Sequence, residues 1–295
     1  MSERAYTGPV QVLSAEDSEK RECVKAHVLS RTSATPAGTT PFRHLYIEQI
    51  LPSEFYDDLK NYSSSCRDGE DLQSRDQDSK LYQNTRYNFS ADASSLIAIL
   101  RSVFADSDVK QAFLGKFYRT DLDALSDSLS IHEFEFEFTF TEPNRFQNIH
   151  LDIPPKYLSF VFYMPNETLG AEDERLNATV LYDKDAQPHH PAKYRGNSVA
   201  LFAPHFYSAH GNSTTIERPA MVLFYINKKD LEEWNTMTRS EKDVAPYEEY
   251  KNFTQRKIER YPLIEYGDCS DKIKLERADC RANAPRARVL RSEDT

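Results

Sequence analysis

Residues 148–165 read NIHLDIPPKYLSFVFYMP. An imidazole and a carboxylate, His150 and Asp152, stand two positions apart at the head of an apolar run. Residues i and i+2 of a strand project to the same side, so this pair can grip one ion together. A second imidazole, His210, closes the segment NSVALFAPHFYSAHGN (197–212), where Gly211 follows it. Two imidazoles and one carboxylate on one face of an octahedral ferrous ion leave the opposite positions open for substrate and dioxygen. Arg218 then opens RPAMVLFYIN (218–227), where a guanidinium can clamp a carboxylate with two parallel hydrogen bonds.

Working outward from these segments, the chain shows the period of strands. IHEFEFEFTF (131–140) alternates strictly, with His132 and four phenylalanines on one face and three glutamates and Thr139 on the other. Further strands are expected at 81–89, 157–164, 177–183, 197–203 and 219–226. No helical pattern is evident between the strands from 131 to 226, which favours a sandwich or jelly roll over a parallel sheet. FRHLYIEQI (42–50), Leu-Pro-Ser and EFYDDLKNYSS (54–64) read as strand, turn and helix, with Ser53 a candidate N-cap. SSLIAILRSVF (94–104) and SDVKQAFLGKF (107–117) read as two short helices. The expected class is mainly β with flanking helices (α+β), organised as a partly ordered arm over 1–41, one domain over 42–280 with its core at about 130–226, and a flexible tail over 281–295.

Composition narrows the function. The net charge of -10 argues against a nucleic-acid surface, and no apolar run reaches the length of a membrane span. The 8 glycines are scattered, so neither a phosphate-cradling loop nor a dinucleotide fingerprint is present. No serine stands in a nucleophile elbow. The 4 cysteines form no paired motif, and the first thirty residues carry no apolar signal core, so a cytoplasmic protein with reduced thiols is expected.

The span 42–226 resembles the iron(II)/2-oxoglutarate-dependent dioxygenases. HLDIPPKYLSFVFYMP is similar to their HxD strand, with its trailing lysine and aromatic-rich next strand, and FRHLYIEQILPSEFYDDLKN resembles the entry of prolyl-hydroxylase-like members. The resemblance implies a double-stranded β-helix (jelly-roll, cupin-like) core, with iron on His150, Asp152 and His210 and the distal carboxylate of 2-oxoglutarate on Arg218. Thr179 and Tyr182, on the strand NATVLYDKD, are candidates to reach that carboxylate or the substrate. His205 is the alternative second imidazole, because the spacing from His210 to Arg218 is shorter than the family's usual one. Asp152 fills the position that halogenating relatives leave vacant, so hydroxylation, or a related desaturation or cyclisation with dioxygen, is the implied outcome.

The expected substrate is a small molecule such as an amino acid or a specialised metabolite, and the oligomeric state is left open. A protein or peptide hydroxylase of the same fold is the alternative. Outside that class stand a non-catalytic cupin-like binder and a zinc or manganese isomerase, the last having no general use for a dicarboxylate clamp. His132 reads as a core histidine or one that supports the site from behind its ligands, Asn148 as either pocket-facing or structural, and the pair His189-His190 as loop residues.

Overall fold

The computed structural model describes residues 13–68, 73–78, 83–88, 94–236 and 247–264. The expectations for the tail over 281–295 and for the side chain of His132 lie outside the described residues. The strands are β1 (His44–Glu48), β2 (Gln73–Asp78), β3 (Gln83–Asn88), β4 (Leu129–Thr141), β5 (Phe146–His150), β6 (Lys156–Tyr163), β7 (Val180–Tyr182), β8 (Pro188–His189), β9 (Ser198–Phe202), β10 (His210–Ser213) and β11 (Arg218–Asn227). The helices are α1 (Ala15–Ala34), α2 (Ser53–Asp68), α3 (Ser95–Ala105), α4 (Ser107–Leu114), α5 (Leu122–Ser128), α6 (Ala171–Leu176), α7 (Lys228–Thr236) and α8 (Tyr247–Arg260).

The strands form two sheets. The larger runs β1-β9-β6-β11-β4-β3-β2 and the smaller β5-β10-β7-β8, and the pairings are antiparallel throughout. Met221, Leu223 and Tyr225 of β11 join Phe160 and Phe162 of β6 in one core with Val24, Phe55, Leu100, Phe104 and Phe113 from α1 to α4. Helices therefore cover the outer face of the larger sheet. With period 2, the residues between these point the other way, toward the smaller sheet. Both faces of β6 and β11 are covered, which is why KYLSFVFY and RPAMVLFYIN read as nearly unbroken apolar runs. The second face of β4 is not solvated either: Glu137 and Thr139 are buried.

One expectation is corrected. A helix, α6, does lie between β6 and β7. It is too short to show an apolar period, but Glu172, Asp173 and Glu174 in its first turn suit the positive end of a helix. It joins strands of different sheets, so the antiparallel architecture stands. Residues 15–34, in the stretch read as an arm, form a helix whose Val24 and Val28 are buried in the main core.

Asn197 pins the corner where β1 turns into α2. Its amide accepts from Leu51 N at 2.9 Å and donates to Leu51 O at 2.7 Å. Its φ of 55° lies in the left-handed region that asparagine tolerates. Asn197→Asp removes the donor and buries a charge beside a carbonyl. It is expected to lower stability by about 2–3 kcal/mol in urea denaturation, with no change in the secondary structure seen by circular dichroism.

Candidate metal centre

β5 and β10 are antiparallel neighbours, and their register sets His150 directly opposite His210, with ring centroids 4.2 Å apart. Asp152 sits on the turn that follows β5. One ligand atom from each of His150, Asp152 and His210 lies within 4.8 Å of the others, and all three residues are buried. No other such cluster of three is found among the described residues.

The imidazoles are oriented for binding through Nε2. His150 Nδ1 donates to Asn148 O at 2.8 Å and His210 Nδ1 to Ser208 O at 3.0 Å. A carbonyl only accepts, so each Nδ1 holds the proton and each Nε2 presents its lone pair. Gln147 places its amide Nε2 at 3.3 Å from His150 Nε2 and accepts from Asn212 Nδ2 at 3.0 Å. Asp152 is fixed at both oxygens: Lys156 Nζ donates to Oδ1 at 3.0 Å and Ser159 Oγ to Oδ2 at 2.6 Å. The Lys156 ammonium also lies 3.4 Å from the Phe224 ring centroid.

Electrostatics keep the donors in their ligating forms. Burial, reinforced by His210, pushes the His150 pKa down to about 3, and burial lowers that of His210. For Asp152, burial works upward, but Lys156, the two imidazoles and the Ser159 hydroxyl outweigh it and hold the carboxyl well below its ordinary range. Two neutral imidazoles and one carboxylate form a donor set that suits a divalent transition metal.

Arg218 is buried, not a surface charge, and stands at the start of β11. Its Nε donates to Asn177 O at 2.8 Å and its Nη2 to Thr179 Oγ1 at 3.3 Å. The rings of Tyr163 and Tyr194 each stand 5.5 Å from its guanidinium carbon. No carboxylate forms a salt bridge with it among the described residues.

Of the candidates from sequence, the structure gathers His150, Asp152 and His210 in one cluster and sets Thr179 against Arg218. Tyr182 is not brought there. Alternation along β7 turns it away from Leu181, which packs with Phe202 in the interior. His205 stands apart from the triad, its ring 5.6 Å from that of Phe42. His189 pairs with Asp183 at 3.2 Å. Sequence reading missed Ser159, Gln147, Tyr163 and Tyr194. For Ser159 and Tyr163, inside the apolar strand β6, a side chain facing a site is indistinguishable from one filling the core; Tyr194 and Gln147 lie where the pattern carries no sign of what they face.

No family model matches the chain, and no curated protein matches it in sequence. Among solved structures it is similar to a prolyl hydroxylase from Trichoplax adhaerens in complex with a hypoxia inducible factor oxygen degradation domain peptide fragment. The identity is 12%, the TM-score 0.50, and the match covers 77% of this chain and 99% of that one. It is also similar to a prolyl-4-hydroxylase from Pseudomonas putida, at 14% identity and TM-score 0.48, over 69% of this chain and 99% of that one. The fold is thus the double-stranded β-helix implied by the resemblance.

Two outcomes are expected from this geometry. A Cβ on Gly211 would stand 2.8 Å from Gln147 O, with Ile149 N and Asn148 C also closer than 3.4 Å, all backbone of β5. Gly211→Ala must therefore separate the two strands that carry the imidazoles, and cobalt(II) titration should show at least a roughly tenfold loss of affinity. The second concerns pH. Burial, with the nearby Lys257, pushes the His205 pKa down to about 3 from 6.5. The unfolded chain takes up that proton first, so the stability contribution is complete above the ordinary value and is lost as pH falls through the window between the two. In His205→Gln the decline in stability with acidity should be shallower than in the wild type, by up to about 1.4 kcal/mol per pH unit within that window. Urea midpoints measured across it provide the check.

Proposed function

We propose that this protein is an iron(II)- and 2-oxoglutarate-dependent oxygenase that oxidises an unactivated carbon–hydrogen bond. The observation that carries the reading is the convergence of two Nε2 lone pairs and one carboxylate in a fold that also buries an arginine with no acidic partner among the described residues. His150, Asp152 and His210 would hold Fe(II), which, when bound, supplies the electrons for activating dioxygen alongside 2-oxoglutarate.

The chain's own residues bind, orient and exclude water. Arg218 would clamp the distal carboxylate of 2-oxoglutarate through the guanidinium, with the Thr179 hydroxyl beside it. Tyr163 accepts from Thr179 N at 2.9 Å and Tyr194 donates to Pro219 O at 2.8 Å, so both rings are fixed as walls around the guanidinium. These walls keep the arginine in a dry setting, where a charge-assisted pair is strong. Ser159 and Lys156 hold the Asp152 carboxylate in place.

For the substrate, our reading is a small molecule such as an amino acid or a specialised metabolite. A peptide is the second reading, supported by the similarity to a prolyl hydroxylase whose structure holds a peptide fragment. Cytoplasmic residence fits the scattered cysteines, and no helix among the described residues is long and apolar enough to cross a membrane.

The test is an anaerobic titration of the metal-free protein with Fe(II) and then 2-oxoglutarate, following the weak visible charge-transfer band. The wild type should develop the band. Asp152→Ala should abolish it through lost metal binding. Arg218→Ala should weaken 2-oxoglutarate binding by about 2–3 kcal/mol, roughly a hundredfold, while metal binding persists. Absence of metal binding in the wild type would overturn the proposal and favour a cupin-like binder. Succinate release stimulated by peptides but not by metabolites would replace the small-molecule reading with the second one.

A further inference from the structure

We infer that α8, the last helix of the described residues, positions the metal centre, through Tyr250 and Lys257, by tying together the two segments that carry its ligands. This rests on reading the triad as a metal centre. Along α8, Tyr250, Phe253, Thr254 and Lys257 are buried, whereas Asn252, Arg256, Glu259 and Arg260 are exposed. The buried set follows the i, i+3, i+4, i+7 spacing of a single helix face, so Tyr250 and Lys257 stand two turns apart on the same side.

That face meets the ligand-bearing turns directly. The Tyr250 hydroxyl donates to the backbone carbonyl of Asp152 at 3.0 Å. The Lys257 ammonium donates to Lys156 O and to Pro204 O, each at 2.8 Å. The first carbonyl belongs to the residue whose side chain holds Asp152, and the second opens the loop that leads to His210. One buried cation thus joins two segments distant in sequence and adjacent at the triad. The rings of Trp234 and Phe206 lie 6.1 and 5.8 Å from that of Tyr250, and Leu151 and Ile153, which flank Asp152, pack on the same cluster.

A methionine at 257 would fill the space without burying an ammonium, whose desolvation costs several kcal/mol. The lysine forms no salt bridge among the described residues, so two backbone carbonyls are what it serves. The first lies on the opening residue of β6 and the second on the loop after β9, which no ladder of strand bonds holds, so the ammonium ties that loop to the start of a strand. Groups that orient metal ligands from outside the coordination sphere typically change metal affinity by 10–100-fold when removed.

The experiment compares the full-length wild type, Tyr250→Phe and Lys257→Met by cobalt(II) titration, following the visible ligand-field band, alongside the melting temperature of each metal-free protein. Tyr250→Phe keeps the ring and its packing and removes only the hydroxyl. It should weaken cobalt(II) about tenfold and alter the band, with the metal-free melting temperature nearly unchanged. Lys257→Met should weaken binding further, and if that variant fails to fold, Tyr250→Phe decides alone. Equal affinity and an identical band in Tyr250→Phe would overturn the inference while leaving the metal centre intact. So would a loss of affinity matched by an equal loss of metal-free stability, which would make α8 a general support only. A wild type that takes up no cobalt(II) would remove the metal centre itself, a result distinct from either.

Discussion

The structure depends on the close approach of β5 and β10. Gly211 has no side chain, and the space its Cβ would need is taken by the backbone of residues 147–149. The pairing register then fixes His150 opposite His210, and a bulge between His210 and Asn212 lets the chain leave that contact without dragging the imidazole away. Neither histidine reaches its place through its own rotamer alone. Each ring is also held by a bond from Nδ1 to a carbonyl two residues earlier, so backbone geometry sets both the position and the tautomer.

The second constraint is the burial of charge. Asp152, Lys156, Arg218 and Lys257 are all below a tenth exposed. Isolated, each would be costly, and each is instead surrounded by directed partners. Lys156 and Ser159 satisfy the two oxygens of Asp152, backbone carbonyls receive Lys257, and Asn177 O and Thr179 receive two of Arg218's nitrogens. A chain built only for stability would gain as much from hydrophobic groups of similar volume. Buried polar groups concentrated around the triad and Arg218 therefore point to a site, and the perturbed histidine and aspartate pKa values are its electrostatic signature.

The architecture was legible in the sequence wherever one period held over a full element. β4, β6 and β11 appear as alternation or as unbroken apolar runs because the pleat and the covered faces impose those patterns directly. α6 was invisible because six residues complete fewer than two turns, too few to reveal a period. The triad was legible because His150 and Asp152 stand two residues apart at the head of an apolar run, although Asp152 lies just past the end of β5 rather than on the strand expected for it. The choice between His205 and His210 was not, since both follow the same apolar strand and only strand pairing separates them. The partners of Arg218 were half legible. Thr179, just before β7, reaches Arg218 with its hydroxyl, whereas Tyr182, at the far end of β7, points away from the interior residue Leu181, because the pleat rather than the composition decides which way a residue points.

The two sheets divide the labour. The smaller sheet and the turn after β5 supply the three donors, while the larger sheet supplies Arg218, the Ser159 and Lys156 that steady Asp152, and Phe224 beneath that lysine. The site therefore exists only in the packed pair of sheets. What sets the separation between the larger sheet and the triad is the turn from Leu151 to Pro155, since Asp152 leaves the smaller sheet there and is bonded from β6 of the larger. A hinge so short transmits any shift of either sheet to the carboxylate. Strand bonding reaches only its far end, where Asn227 N donates to Pro155 O at 3.3 Å, so bracing from a third element acts where the ladder does not. The Tyr250 hydroxyl on the Asp152 carbonyl and the Lys257 ammonium on the Lys156 carbonyl act at the two ends of that same turn.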